Sequence, residues 1–131
     1  MTDDTFAGTW HSTYWYPSNT HDGDDTSEYD VEIQQTGNEL VIHSLPNPIH
    51  AYIQMRLVVD NELAAGSWLE NTSPEGEFRA MMYSGVLQLI VDDDKQRMSG
   101  KWVGVGRDLE KQRPEIYTGK WELTRTAPQP S

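Results

Sequence analysis

Along most of the chain apolar and polar residues alternate, and no stretch carries the three-to-four-residue spacing of an amphipathic helix. Turn signals interrupt the alternation at Gly37-Asn38, Asp60-Asn61, Ser73-Pro74-Glu75-Gly76 and Asp92–Lys95. The stretches between them predict strands at Gly8–Tyr16, Glu28–Thr36, Glu39–Leu45, Ala51–Val59, Glu62–Thr72, Glu77–Val91, Arg97–Gly106 and Glu115–Arg125. Longer connections fall at Pro17–Ser27, Pro46–His50 and Arg107–Pro114. No linker divides the chain. The pattern predicts one domain over 1–131: an all-β, eight-stranded antiparallel up-and-down barrel, with residues 1–7 and 126–131 frayed.

Gly-x-Trp occurs four times, at Gly8-Thr9-Trp10, Gly66-Ser67-Trp68, Gly100-Lys101-Trp102 and Gly119-Lys120-Trp121, and the Gly8-Thr9-Trp10 start with the count of eight strands resembles the avidin and lipocalin class of barrels. In a strand, residues two apart share a face, and a glycine leaves room for a ring on the neighbouring strand. In an antiparallel hairpin the turn fixes which residues face each other. The last hairpin then sets Gly100 against Trp121 and Trp102 against Gly119. The Ser73–Gly76 turn sets Gly66 against Tyr83, Trp68 against Met81 and Glu70 against Arg79. The Asp92–Lys95 turn sets Gly85 against Trp102. The resulting inner face has an apolar end, with Ile33, Leu40, Leu57, Val59, Leu89, Val91, Met98 and Leu123. The other end carries Tyr14, Tyr16, Tyr29, Ser44, Glu70, Thr72, Glu77, Arg79, Tyr83 and Tyr117. The first is expected to be a plug and the second an open mouth. A barrel of this size is filled by side chains or holds one small ligand.

Composition narrows the function. Twenty-one acidic against ten basic side chains give a net charge of −11, which repels phosphates and anionic lipid. Neither nucleic acid nor membrane is an expected partner. Cysteine is absent, the first residues lack the pattern of a signal peptide, and no apolar run approaches the ~20 residues of a membrane helix. A cytoplasmic location is the expectation.

The candidate ligand-binding residues are Tyr14, Tyr16, Tyr29, Ser44, Trp68, Glu70, Arg79, Tyr83, Trp102 and Tyr117. Glu70 and Arg79 form either an anchor for a ligand or a structural ion pair. The tyrosines either line a pocket or fill the barrel. The tryptophans fit packing best, with Trp68 and Trp102 the candidate platforms. The loop His21-Asp22-Gly23-Asp24-Asp25, with Glu28, offers oxygen ligands but lacks EF-hand spacing, so no metal site is assigned. His11, His43 and His50 read as surface residues. No nucleophile motif or cofactor loop supports an enzyme, and no cofactor is expected. Three functions remain: a small-molecule-binding sensor or carrier, a protein-interaction or homo-oligomerisation module using outward Trp15, Val86, Ile90, Val103 and Val105, and, least supported, an isomerase or hydrolase using Glu70, Arg79 and the tyrosines.

The segments GTWHSTYWYPS, YDVEIQQTGNELVIHSLP, LAAGSWLENTSPEGEFRAMMYSGVLQLIVDDD, RMSGKWVGVGRDLE and YTGKWELTR resemble the C-terminal β-barrel region of actinobacterial helix-turn-helix regulators of the XRE type. The first predicted strand starts near Met1, so DNA binding is not carried over. The resemblance implies a sensory or binding module working without a DNA-reading partner.

Overall fold

The computed structural model describes residues 5–17, 23–48, 50–71, 82–108 and 113–126. Eight antiparallel strands follow one another around a closed barrel. They are β1 (Gly8–Pro17), β2 (Asp24–Thr36), β3 (Glu39–Ser44), β4 (Tyr52–Asp60), β5 (Leu63–Asn71), β6 (Met82–Val91), β7 (Arg97–Asp108) and β8 (Arg113–Arg125). No helix occurs among the described residues. The alternation produces this result because a closed sheet buries every second residue of every strand and leaves no edge.

Two tight turns show the local chemistry. Gly37 joins β2 to β3 with φ 61°, and Asn61 joins β4 to β5 with φ 56°. These are left-handed conformations that glycine and asparagine tolerate best. The second turn sits at Asn61-Glu62, one residue later than Asp60-Asn61.

The inner and outer faces are those the alternation predicts, but two registers differ. β7 and β8 pair as expected, with Gly100 opposite Trp121 and Trp102 opposite Gly119. Across β5 and β6, however, Gly66 faces Leu87, Trp68 faces Gly85 and Glu70 faces Tyr83. Met81 and Arg79 are therefore not the partners of Trp68 and Glu70. Across β6 and β7, Gly85 faces Gly104, and Trp102 faces Leu87. Both shifts are even, so every side chain stays on its predicted face. Rings still cover glycines: a Cβ on Gly104 would lie 2.5 Å from the Trp68 ring, and one on Gly119 2.7 Å from Trp102 Nε1.

The apolar end is closed. Ile33, Leu40, Leu57, Leu89, Met98 and Leu123 are buried there, and Phe6 is buried with them. Phe6 N–H donates to Gln35 Oε1 at 2.9 Å, and its carbonyl accepts the Trp10 indole N–H at 2.9 Å. Arg125 donates to the Ala7 carbonyl at 3.1 Å and to the Thr5 carbonyl, and its guanidinium lies 4.7 Å from the Trp10 ring centre. Thr126 Oγ1 donates to the Thr9 carbonyl at 2.9 Å. Residues 5–7 and Thr126 are thus docked rather than frayed.

Outside, His11 lies between Asp30 Oδ1 at 2.9 Å and Glu28 Oε1 at 3.0 Å. The hydrogen bond to Asp30, then that to Glu28, raises the imidazole above its ordinary value. A raised folded-state value stabilises the fold below the unfolded histidine's titration near pH 6.5 and loses that contribution as pH climbs through the folded value. Wild type should therefore lose stability relative to His11→Gln as pH rises from about 6 to 8. The difference should stay below about 1 kcal/mol, because the pair is exposed. Urea titrations of both proteins at several pH values check this; parallel pH profiles would refute it.

Candidate functional site

The other end of the barrel is built around Glu70. It is the inward residue one step from the end of β5, between Ile53 on β4 and Tyr83 on β6, and it is only 4% exposed. Tyr14 on β1 and Tyr29 on β2 reach it from the far side of the lumen, β1 being diametrically opposite β5 in the strand order. Tyr29 Oη donates to Glu70 Oε2 at 2.6 Å, and Tyr14 Oη donates to Oε1. Ser27 Oγ lies 3.5 Å from Oε2. Among the described residues, then, hydroxyls are the partners of this buried carboxylate. Each oxygen has two acceptor positions, so the phenols leave acceptor capacity unused.

Strand geometry explains the convergence. Tyr14 and Ser27 are direct partners in the β1–β2 ladder, as are Ser12 and Tyr29, and Tyr16 and Asp25. β2 begins at Asp24, so Asp25 and Ser27 continue the inward row of Tyr29. They are strand residues here, not part of a Pro17–Ser27 loop. Likewise β7 and β8 run on to Asp108 and from Arg113, shortening the predicted Arg107–Pro114 connection.

Below Glu70 lies a packed group of rings. Tyr14 stacks at 4.7 Å from Trp121 and meets Trp102 edge-on at 5.9 Å, while Trp68 and Trp102 meet edge-on at 5.7 Å. Their indole N–H groups are all used by the barrel itself: Trp68 to the Val86 carbonyl at 3.2 Å, Trp102 to the Trp15 carbonyl at 2.9 Å, and Trp121 to Ser12 Oγ at 2.8 Å. Trp68 and Trp102 therefore have no N–H left for a ligand.

The remaining candidates separate by position. Tyr16 and Tyr83 are half-buried around Glu70 and pack against the core. Tyr117 is half-buried and donates to Glu115 Oε2 at 3.1 Å. Ser44 is buried, but its hydroxyl accepts the Ile53 backbone N–H at 3.0 Å, which makes it part of the β3–β4 connection. Asn47 braces the same connection, with its side chain bonded to both the N–H and the carbonyl of Ala51 at 3.1 and 2.8 Å. Arg79, Thr72, Glu77, His21 and Asp22 lie outside the described residues, so the proposed Glu70–Arg79 contact and the acidic-loop metal reading are not addressed. Among the described residues, no three of His, Asp and Glu converge to hold a metal ion.

The phenols keep their protons at neutral pH. Burial first, then the charge of Glu70 and its hydrogen bonds, pushes the Tyr14 and Tyr29 hydroxyls well above the ordinary phenol range. Tyr16 is raised by burial, then by Asp25 and Glu70, and Tyr83 by burial and then Glu70. The site is thus a carboxylate acceptor held by fixed donors, with aromatic walls. Asp25, Ser27 and Trp121 are the members not among the ligand-binding candidates read from the sequence; continuing the period-two row upstream of Tyr29 is the signal that marks Asp25 and Ser27. No protein-family model matches the chain, and no curated protein matches its sequence.

Proposed function

We propose that the protein is a small-molecule-binding barrel, a sensor or carrier module, whose ligand sits at the aromatic and polar mouth above Glu70. The observation that supports this reading is the cross-lumen clasp. A carboxylate buried in a barrel is costly unless it is fully satisfied. A clasp that holds Glu70 with phenols from β1 and β2 and still leaves it acceptor capacity is a built recognition point.

A thermal-shift screen with a metabolite extract tests this. A compound present at about 100 times its Kd should stabilise the wild type by about 2.7 kcal/mol. Glu70→Gln should lose most of that response. If no compound stabilises the wild type, or Glu70→Gln responds equally, the mouth is not the site.

The outer wall supports the alternative of a protein-interaction or homo-oligomer surface. Val86 faces Val103, and Val105 faces Ile116, on adjacent strands. These four side chains are 57%, 40%, 49% and 69% exposed, an apolar stripe across β6–β8. A shallow depression of about 310 Å³ over β3–β6 shares Val86. Ile90 instead faces Leu63, and Trp15 lies beneath the Lys120 ammonium at 5.1 Å, so neither extends the stripe.

A further inference from the structure

Resting on the mouth-binding reading, we infer that the ligand is an organic cation: a primary or secondary ammonium carried on an apolar or aromatic body. The first reason is the sign of the charge. Among the residues whose side chains are described, the acidic and basic ones on the inner face of the mouth half are Asp25, Glu70 and Glu115, while the strand pairing carries the same inward row on to Arg113 opposite Asp108 at the rim. Asp25 and Glu115 make interactions of their own, so the inference stands on Glu70, the buried carboxylate at the centre of the clasp.

The second reason is the hydrogen-bonding inventory. Tyr14 and Tyr29 donate to Glu70, so their protons point at the carboxylate and away from a ligand. What remains there is acceptor capacity on Glu70 Oε1 and on the phenol oxygens, Oε2 already facing both Tyr29 and Ser27. An ammonium group brings only donors, two or three of them, and matches this set. A carboxylate or phosphate ligand would bring only acceptors and meet like charge at short range. A quaternary ammonium would match the charge but leave the acceptors unfilled.

The third reason is the wall. Tyr16 lies 5.7 Å from Tyr14, ring centre to ring centre, and Tyr83 faces Glu70 across the β5–β6 ladder. Aromatic faces attract cations through their quadrupoles, and their rings suit an apolar ligand body. A buried carboxylate flanked by phenol rings is a cation site on both counts.

A charge series on one ligand skeleton tests this. The probes are phenethylamine, 2-phenylethanol and 3-phenylpropanoate, followed by titration calorimetry and by the NMR signals of the Tyr16, Trp68 and Tyr83 side chains in the wild type and in Glu70→Gln. The amine should bind at least about tenfold more tightly than the alcohol, the acid should be the weakest, and Glu70→Gln should erase the amine's advantage. If the acid or the alcohol binds as well as the amine at those side chains, the cation inference fails while the mouth remains a binding site. If no probe of any charge moves those signals, the mouth-binding reading fails and takes the inference with it. Should Glu70→Gln not fold, the wild-type series alone decides between these outcomes.

Discussion

Trp121→Ala should lower the unfolding free energy by about 3–5 kcal/mol. The indole is fully buried, stacked on Tyr14 at 4.7 Å and packed 5.6 Å from Trp68. Its N–H is the donor to Ser12 Oγ, which is itself buried. Truncation opens a ring-sized cavity and removes the buried donor that this hydroxyl accepts. It also frees the Tyr14 ring, and with it one arm of the Glu70 clasp. Trp121→Phe should lose less, because most of the stacking surface remains. Urea denaturation of both variants checks the order. A loss below about 1 kcal/mol for Trp121→Ala would show that the ring cluster is not close-packed.

Gly66→Ala should cost about 3 kcal/mol, far more than one added methyl group suggests. A Cβ there would stand 1.8 Å from the Arg56 carbonyl oxygen and 2.9 Å from the Leu57 Cα. Both belong to the backbone of β4, so no change of rotamer relieves the clash and the β4–β5 ladder must open. Ser67→Ala, on the outer face of the same strand, is the control and should be nearly neutral. Equal thermal melts for Gly66→Ala and Ser67→Ala would mean that the two strands do not approach so closely.

These two positions also show how far the sequence can be read. The Gly-x-Trp repeat marks the inner face correctly, because the alternation of a pleated strand depends on parity alone. It does not tell why each glycine is there. Gly104 lies beneath rings, Gly66 and Gly100 lie against the backbone of a neighbouring strand, and Gly119 meets both, the Trp15 carbonyl and the Trp102 ring. The β5–β6 and β6–β7 registers were misplaced because a turn read from Ser-Pro-Glu-Gly or Asp-Asp-Asp-Lys does not fix how many residues lie outside the ladder. Slips by an even number leave every face intact, so the fold survives while the individual partners do not. The clasp itself was out of reach. Tyr14, Tyr29 and Glu70 each stand out as inward polar residues, but hairpin pairing relates only neighbouring strands. A contact across the lumen depends on closure and on side-chain reach.

The ladder between β1 and β8 differs from the others in what it connects. It runs from Trp10–Arg125 to Tyr14–Trp121, whereas every other ladder joins strands consecutive in the chain. Loop-closure entropy therefore favours the seven hairpins over this seam. Until the seam forms, β1 and β8 each offer an open edge to any other chain, the usual starting point of aggregation. The outer positions along the seam are His11 and Thr13 on one strand and Glu122 and Thr124 on the other, and Lys120, just past the end of the ladder, has its Nζ 3.1 Å from Glu122 Oε1 in the finished barrel. As gatekeepers of those edges, these polar and charged side chains oppose pairing with other molecules before the seam has closed.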